Sequence, residues 1–406
     1  MSLNSTPSSE RVYIGFFGRT NAGKSSLVNA LTKQQVSLVS EIKGTTTDPV
    51  KKAMELLPLG PVLLIDTPGL EDNSNLGELR EKRTKEILNQ VHVALLVVDT
   101  LEGITEVERQ LENQIKEAKI PYLVVYNKSD LLPEKSKDSL KQRISRETLQ
   151  QKEENSIFVS TVTGENIELL KEKLGTLAGV REEKKLVSDL LEPGDHVVLV
   201  IPIDKAAPKG RLILPQQQTI RDILDGGCTL SVCQVEKVKE TLELLHKPPK
   251  LVITDSQVFS KVKEMVPQSI MLTSFSILFA RYKGDLEEVV KGAKKISQLK
   301  DGDKVLISEG CTHHRQCGDI GTQKLPAWIK NYTQKDVAFE FTSGGEFPSD
   351  LTGYELIIHC GACMLNEKQM QNRMRLAKEQ KVTMTNYGIA IAHMNGILKR
   401  SIEPFE

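Results

Sequence analysis

The chain has 406 residues, too many for one ordinary domain and enough for two or three with cores of their own. Basic and acidic residues balance at 54 each and aromatics make up only 4%, so there is neither a global field for gripping nucleic acid or an anionic membrane nor a supply of stacking platforms for single strands. No stretch of about 18 apolar residues marks a membrane span, and the opening Met1–Glu10 is polar without an apolar leader core. Residues 1–9 therefore read as a short disordered tail and the protein is expected in the cytoplasm, with no nucleic-acid or membrane partner.

In chain order, apolar runs at Val12–Phe17, Val62–Asp66, Val93–Asp99, Tyr122–Tyr126 and Ile157–Ser160 alternate with helical stretches at Leu76–Leu88 and Val107–Ala118. Continuous apolar strands separated by helices predict an α/β fold with a doubly wound parallel sheet, here over residues 10–178. Charged Arg181–Lys185 is the first linker. A small second block over 186–267 has a strand from His196, a helix at Thr219–Leu224, a helix at Glu236–Leu245 and a strand at Leu251–Asp255. Its cysteines, Cys228 and Cys233, have no histidine neighbours and read as small buried hydrophobes. A third α/β block over 268–406 has strands at Ile270–Ser274, Lys304–Ser308, Val337–Phe341 and Glu355–His359, and helices at Leu286–Leu299, Ala327–Tyr332 and Lys368–Gln380.

Between the first strand and a helix beginning near Ser26 lies Gly18-Arg19-Thr20-Asn21-Ala22-Gly23-Lys24-Ser25. Glycines at this spacing let backbone N–H groups wrap a phosphate chain at a helix N-terminus. Lys24 is placed for the outer phosphates and Ser25 for magnesium, with Gly18, Asn21, Ala22, Gly23 and Ser26 completing the loop. Asp66-Thr67-Pro68-Gly69 ends a strand, where Asp66 can hold magnesium through water and the Gly69 N–H can sense a γ-phosphate. Asn127-Lys128-Ser129-Asp130 follows another strand, and an ionised Asp130 accepts two parallel hydrogen bonds that guanine offers and adenine does not. Ser160 and Thr161 fit a last base-contact loop. Gly44-Thr45-Thr46-Thr47-Asp48 reads as a switch loop, with Thr45 or Thr46 closing over the metal. The order is that of a GTP-binding, GTP-hydrolysing enzyme.

These motifs resemble the Era- and TrmE-type GTPases over about Glu10–Ala178. Leu70 stands where Ras-like enzymes carry a water-orienting Gln, so intrinsic hydrolysis is expected to be slow or assisted. The resemblance implies a potassium ion held partly by Asn21. It also aligns Glu78 with a water-positioning acid, although a solvated helix face is the more ordinary reading of Glu78.

The third block holds Cys311-Thr312-His313-His314 and His359-Cys360-Gly361-Ala362-Cys363, each just past an expected strand. Strand C-terminal ends line the ligand crevice of an open parallel sheet, so the two groups can meet at one metal. By ligand chemistry alone, tetrahedral zinc, an iron–sulfur cluster on three thiolates, and no metal at all stay open, and Cys317 is a competing ligand.

A TrmE-like GTPase followed by Cys-x-His and His-Cys-x-x-Cys is similar to the HydF family, the GTPase maturation factors of FeFe-hydrogenases. The resemblance extends to Leu76-Gly77, Lys205–Gly210 and Arg221–Gly227. It implies a dimerisation domain in the middle block and a homodimer. It also implies a 4Fe-4S cluster on Cys311, Cys360 and Cys363, with His313 and His359 as further ligands of the cluster or of a precursor. The implied role is a scaffold that receives a di-iron precursor assembled with radical-SAM maturases and delivers it to apo FeFe-hydrogenase. The competing expectation is a ribosome- or RNA-associated GTPase with a structural zinc; a third is a metabolic GTPase with inert cysteines.

Overall fold

The computed structural model describes residues 6–33, 40–42, 50–57, 59–67, 77–132, 155–179, 184–203, 212–311 and 319–406. It divides into two compact units, residues 1–182 and 183–406.

In the first unit seven strands form one sheet: β1 (Val12–Phe17), β2 (Ser40–Ile42), β3 (Val50–Leu56), β4 (Gly60–Asp66), β5 (Val93–Asp99), β6 (Tyr122–Asn127) and β7 (Ser156–Phe158), in the order β2-β3-β4-β1-β5-β6-β7. The central strands are parallel and buried throughout, and successive side chains feed opposite cores. Ile14, Phe16, Leu95 and Val97 face one way, with Leu27 and Leu31 of helix Lys24–Lys33 and Leu170 and Leu174 of helix Ile167–Ala178. Tyr13, Phe17, Leu96 and Val98 face the other, with Ile87 of helix Gly77–Leu88 and Leu111 and Ile115 of helix Glu106–Glu117. The expected doubly wound sheet carries one antiparallel strand that the sequence did not announce: β3 runs antiparallel to both β2 and β4. Its sequence, Val-Lys-Lys-Ala-Met-Glu-Leu, lacks the continuous apolar run that identified the other strands. The described part of the N-terminal tail is also ordered. Ser8–Glu10 is a 3-10 turn with Ser9 buried, and Arg11 Nε donates to Thr6 O at 3.2 Å.

The second unit contains two four-stranded parallel sheets. One comprises β8 (His196–Val200), β9 (Thr229–Cys233), β10 (Leu251–Thr254) and β11 (Met271–Ser274), ordered β11-β10-β8-β9. The other comprises β12 (Lys304–Ser308), β13 (Ala338–Thr342), β14 (Leu356–His359) and β15 (Thr383–Asn386), ordered β13-β12-β14-β15. β11, expected to open the third block, instead pairs with β10 from Leu251↔Met271 to Thr254↔Ser274; it completes the first of these sheets because its apolar face joins the core of Val198, Val252 and Phe259. That same core takes in Val289, Ala293, Ile389 and Ala392 from helices of the last sheet, so the two sheets share apolar packing and form one unit. Cys228 is buried as expected, while Cys233 is only partly so.

Candidate functional site

The loop after β1 is held open by close backbone approaches. Gly23 has φ +91°, and a Cβ there would stand 2.0 Å from Asn127 Nδ2, so only glycine lets the loop pass the end of β6. Asn127 Nδ2 in turn donates to Ala22 O at 3.1 Å. Asn21 is left-handed, with φ +64°. Lys24 is 6% exposed and folds back over the loop, donating to Gly18 O at 3.0 Å and Arg19 O at 2.7 Å. Burial pulls its pKa down to about 8, against the opposing pull of Asp66 and Glu108. An ammonium resting on its own loop carbonyls can turn to an incoming phosphate without crossing water.

Arg19 joins this loop to the start of helix Glu106–Glu117. Its Nε donates to Glu108 Oε1 at 2.7 Å, and Glu108 is fully buried. The second oxygen of Glu108 accepts the Thr105 N–H at 3.0 Å, a helix-capping contact.

Ser25 and Asp66 meet side chain to side chain through a hydrogen bond from Ser25 Oγ to Asp66 Oδ2. The other carboxylate oxygen, Asp66 Oδ1, is buried and has no hydrogen-bond partner among the described residues, and burial raises the Asp66 pKa above the ordinary carboxylate value. An orphaned buried carboxylate oxygen beside a serine hydroxyl fits a hard divalent cation. Thr45, Thr46 and Gly69 lie outside the described residues, as does the side chain of Glu78, whose backbone is in helix Gly77–Leu88.

The Asn127–Asp130 segment and Ser160 are held together at another strand end of the sheet. Lys128 is left-handed, φ +68°, and its ammonium pairs with Asp99 Oδ2 at 2.6 Å. Ser160 Oγ donates to Asp130 Oδ1 at 2.6 Å and accepts the Val162 and Thr163 N–H groups at 3.2 and 3.1 Å. Ser160 therefore holds the Asp130 carboxylate in place, and Thr161 lies on the same turn. The P-loop, Asp66, the Asn127–Asp130 segment and Ser160 all sit at the C-terminal ends of strands of one sheet, beside the point where chain order reverses around β1, the usual ligand crevice of a doubly wound sheet.

The cysteines occupy the corresponding place in the last sheet. β12 leads to Cys311 and β14 to Cys360; these strands are neighbours, paired up to Ser308↔His359, and chain order reverses between them. Cys360 N donates to Ser308 O at 2.9 Å. Its sulfur accepts the Gly310 N–H at 3.0 Å and the Ala362 N–H at 3.4 Å. Gly310 presses on the Cys loop: a Cβ there would meet Leu365 Cγ at 2.8 Å. Ala362 is left-handed, φ +54°, a conformation unfavourable for a non-glycine residue, which turns its N–H back to the sulfur. Burial raises the Cys360 thiol pKa and pushes that of Cys363 up to about 11, the latter also raised by Cys360. Two N–H donors on one sulfur are what a thiolate ligand uses, so the donor set fits a thiolate-bound metal group. Among the described residues, no three Cys, His, Asp or Glu side chains converge closely enough to share a single metal ion. Cys317 and His313 lie outside the described residues.

His359 does not join the thiols. It is fully buried with both ring nitrogens engaged: Nε2 faces Arg373 Nη1 at 2.8 Å and Nδ1 lies 2.9 Å from Cys360 O. The guanidinium only donates, so Nε2 accepts and Nδ1 carries the proton. Burial, then the Arg373 charge, lowers the His359 pKa to about 3. In this arrangement the ring braces the Cys loop from behind.

Sequence reading missed Arg19, Glu108, Gly310, Lys283 and Arg373. For Arg373 a signal existed: it falls in phase with Met370 and Ala377 on the buried face of helix Glu367–Glu379, where an apolar residue is the ordinary choice.

Residues 287–404 match a model described as the hydrogen maturase F tetramerization domain, and residues 186–284 one described as the hydrogen maturase F dimerization domain. Together they span more than half of the chain. The chain belongs to the hydrogen maturase F family. Its first unit is a P-loop GTPase domain, matching a model for a 50S ribosome-binding GTPase over residues 13–128. Within that unit the chain is similar to the tRNA modification GTPase MnmE of Nitrosomonas europaea, 36% identical over 171 residues, 42% of this chain and 35% of that one. It is similar also to GTPase Der of Nitratidesulfovibrio vulgaris, 40% identical over 125 residues, 30% and 25% of the two chains. The chain thus spans 35% and 25% of the length of these two relatives. A crystal structure of an Aquifex aeolicus Era variant bound to GDP and aluminium fluoride aligns at 22% identity with a TM-score of 0.36, covering 55% of this chain and 92% of that one. No helix among the described residues is long and apolar enough to cross a membrane.

Proposed function

We propose that the protein is a GTP-hydrolysing maturation scaffold that carries a 4Fe-4S cluster on Cys311, Cys360 and Cys363, receives a di-iron precursor as cargo, and hands it to apo FeFe-hydrogenase. The observation that carries the reading is the Cys360 sulfur with its two backbone N–H donors, at a strand-order reversal in a chain that also has a nucleotide crevice. The family match supports it. Radical-SAM maturases would supply the precursor, and the cytoplasm is the fitting compartment. The matched domain descriptions support a homodimer able to associate further.

In the first unit, Lys24 and the loop N–H groups bind the phosphates, Ser25 and Asp66 hold magnesium with Thr46, and Asp130, oriented by Ser160, selects guanine. Magnesium there neutralises phosphate charge as it develops. Asn21, exposed and left-handed, is the residue for an activating potassium ion. Glu78 is the candidate for positioning water. In the second unit the three thiolates would hold the cluster, which supplies an iron with a coordination position not taken by cysteine.

The test is anaerobic reconstitution with iron and sulfide, followed by metal analysis and EPR of the reduced protein. About four irons per chain with a reduced-cluster signal, lost in Cys360→Ser and Cys363→Ser, is the expected result. One zinc and no cluster signal would replace this reading with a ribosome- or RNA-associated GTPase carrying a structural zinc. Full maturation activity with all three cysteines changed to serine would leave a GTPase with inert cysteines.

A further inference from the structure

A positive charge is buried directly behind the Cys loop. Arg373 is 6% exposed, and among the described residues no carboxylate lies within ion-pair distance of it. Its Nη1 donates to His359 Nε2 at 2.8 Å and to Ser308 Oγ at 3.3 Å; its Nη2 donates to Gly344 O at 2.8 Å. The guanidinium carbon sits 4.9 Å from the Phe347 ring centre. Every described partner is neutral, and among the described residues the ionisable group that favours its charge is the Cys360 thiol. Desolvation of a cation is expensive, and neutral hydrogen bonds offset it only in part.

A second cation enters from the neighbouring sheet. Lys283, 1% exposed at the end of helix Phe275–Lys283, donates to Leu365 O at 2.8 Å and Cys363 O at 3.3 Å. Two buried cations thus flank a segment of four residues that carries two thiols. Neither belongs to a described surface or to the nucleotide site.

We infer that Arg373, seconded by Lys283, is the built-in counter-ion of this site, and that the site is made for a metal–thiolate assembly of net negative charge. The inference rests on the cluster reading above and deepens it by giving the charge of the occupant. Arg373 is a positioning residue: it touches His359 and Ser308, and reaches the sulfur through its field and through the His359–Cys360 backbone contact. Each thiolate adds negative charge, and one-electron reduction adds another without requiring a proton. The buried cations therefore favour the loaded site over the empty one, and the reduced cluster over the oxidised one.

The experiment uses the full chain, reconstituted anaerobically, in wild-type, Arg373→Lys, Arg373→Gln and Lys283→Gln forms. Iron per chain is measured together with the midpoint potential from an EPR-monitored titration in which dithionite supplies the electron. Arg373→Gln is expected to shift the midpoint downward, so that at the wild-type midpoint its cluster is roughly tenfold more oxidised. Lys283→Gln shifts it the same way by less, and Arg373→Lys restores most of the wild-type value. A folded Arg373→Gln protein that loses iron while Arg373→Lys keeps it also supports the counter-ion role. Unchanged loading and midpoint in Arg373→Gln overturns it, as does an Arg373→Lys shift equal to that of Arg373→Gln. If Arg373→Gln does not fold, judged by melting and gel filtration, an unchanged midpoint in Lys283→Gln overturns the inference. A wild-type protein that takes up no cluster instead removes the cluster reading on which it rests.

Discussion

The nucleotide crevice and the cysteine crevice occupy equivalent places, each at the C-terminal ends of parallel strands where the sheet reverses its order, yet the buried group that lacks a partner of opposite charge or a hydrogen bond differs in sign between them. The first holds a carboxylate oxygen on Asp66 with no hydrogen-bond partner among the described residues; the second holds a guanidinium, Arg373, whose described partners are neutral. One is short of a cation and the other of an anion. A buried group left without its partner costs free energy, and here the sign of what is lacking says which ligand each fold is made for.

The strongest way to break this comparison is to disable one crevice and ask whether the other notices. Lys24→Ala removes the ammonium folded over Gly18 O and Arg19 O. It should lower GTP turnover at least about 100-fold, as expected for loss of a charge aligned with transferring phosphate. Iron loading in the same preparation should match wild type, because the two sites lie in separate compact units. Loss of iron together with turnover would mean the units do not act independently.

Asp130→Asn sharpens the account of the base-reading end. The substitution keeps the shape but removes a charged acceptor held by Ser160 Oγ at 2.6 Å. GTP affinity should fall roughly 10- to 100-fold while xanthosine triphosphate gains. Isothermal titration with both nucleotides decides it, and unchanged GTP binding would count against Asp130 as the base reader.

How far each crevice could be read from sequence follows from how it is built. The nucleotide site lies in contiguous segments, because a loop that wraps a phosphate must do so within a few residues. Gly18 to Ser25, Asp66 and Asn127 to Asp130 therefore announce themselves. The Cys crevice is made across elements. Cys360 lies three residues from Cys363 in sequence, but its sulfur is held by Gly310, fifty residues earlier, and His359 is turned inward by a helix residue fourteen places later. Spacing showed two soft-ligand groups and could not show that the histidine serves the arginine. Likewise β3, with Lys51 and Lys52 near its start, reads as a polar stretch until β4 pairs with it. β11 reads as the start of a block until its register with β10 is seen.

Arg19→Ala probes a smaller effect in the first crevice. Arg19 is partly exposed, whereas Glu108 is fully buried and loses its ion pair, keeping the Thr105 N–H. Solvent reaches the arginine, so the loss should be about 1–2 kcal/mol of unit stability, well below that of a fully buried pair. Arg19→Ala with Glu108→Gln should recover part of it, since the second change removes the stranded charge. Thermal melts of the single and double variants measure this. Equal destabilisation in both would assign the effect to packing.

The mildest perturbation changes no residue. Burial holds Lys24 at about pKa 8 in the free protein, below its ordinary value of 10.5. Below pH 8 folded and unfolded chains both carry the proton, so this group adds no slope to stability. Between about 8 and 10.5 the unfolded chain binds more protons than the folded one, and linkage makes the nucleotide-free unit gain stability with rising pH. GTP affinity should run the other way. Phosphate favours the ammonium, so binding above pH 8 requires proton uptake and weakens by a few-fold between pH 8 and 9. The two slopes have opposite signs because one ligand-free lysine is relieved by losing its proton and the ligand is held by its keeping it. Melting curves without nucleotide and titrations with it, over pH 7 to 9.5, give both slopes. Affinity that stays flat across that range would place the Lys24 pKa near its ordinary value and remove the desolvated resting state over the P-loop carbonyls.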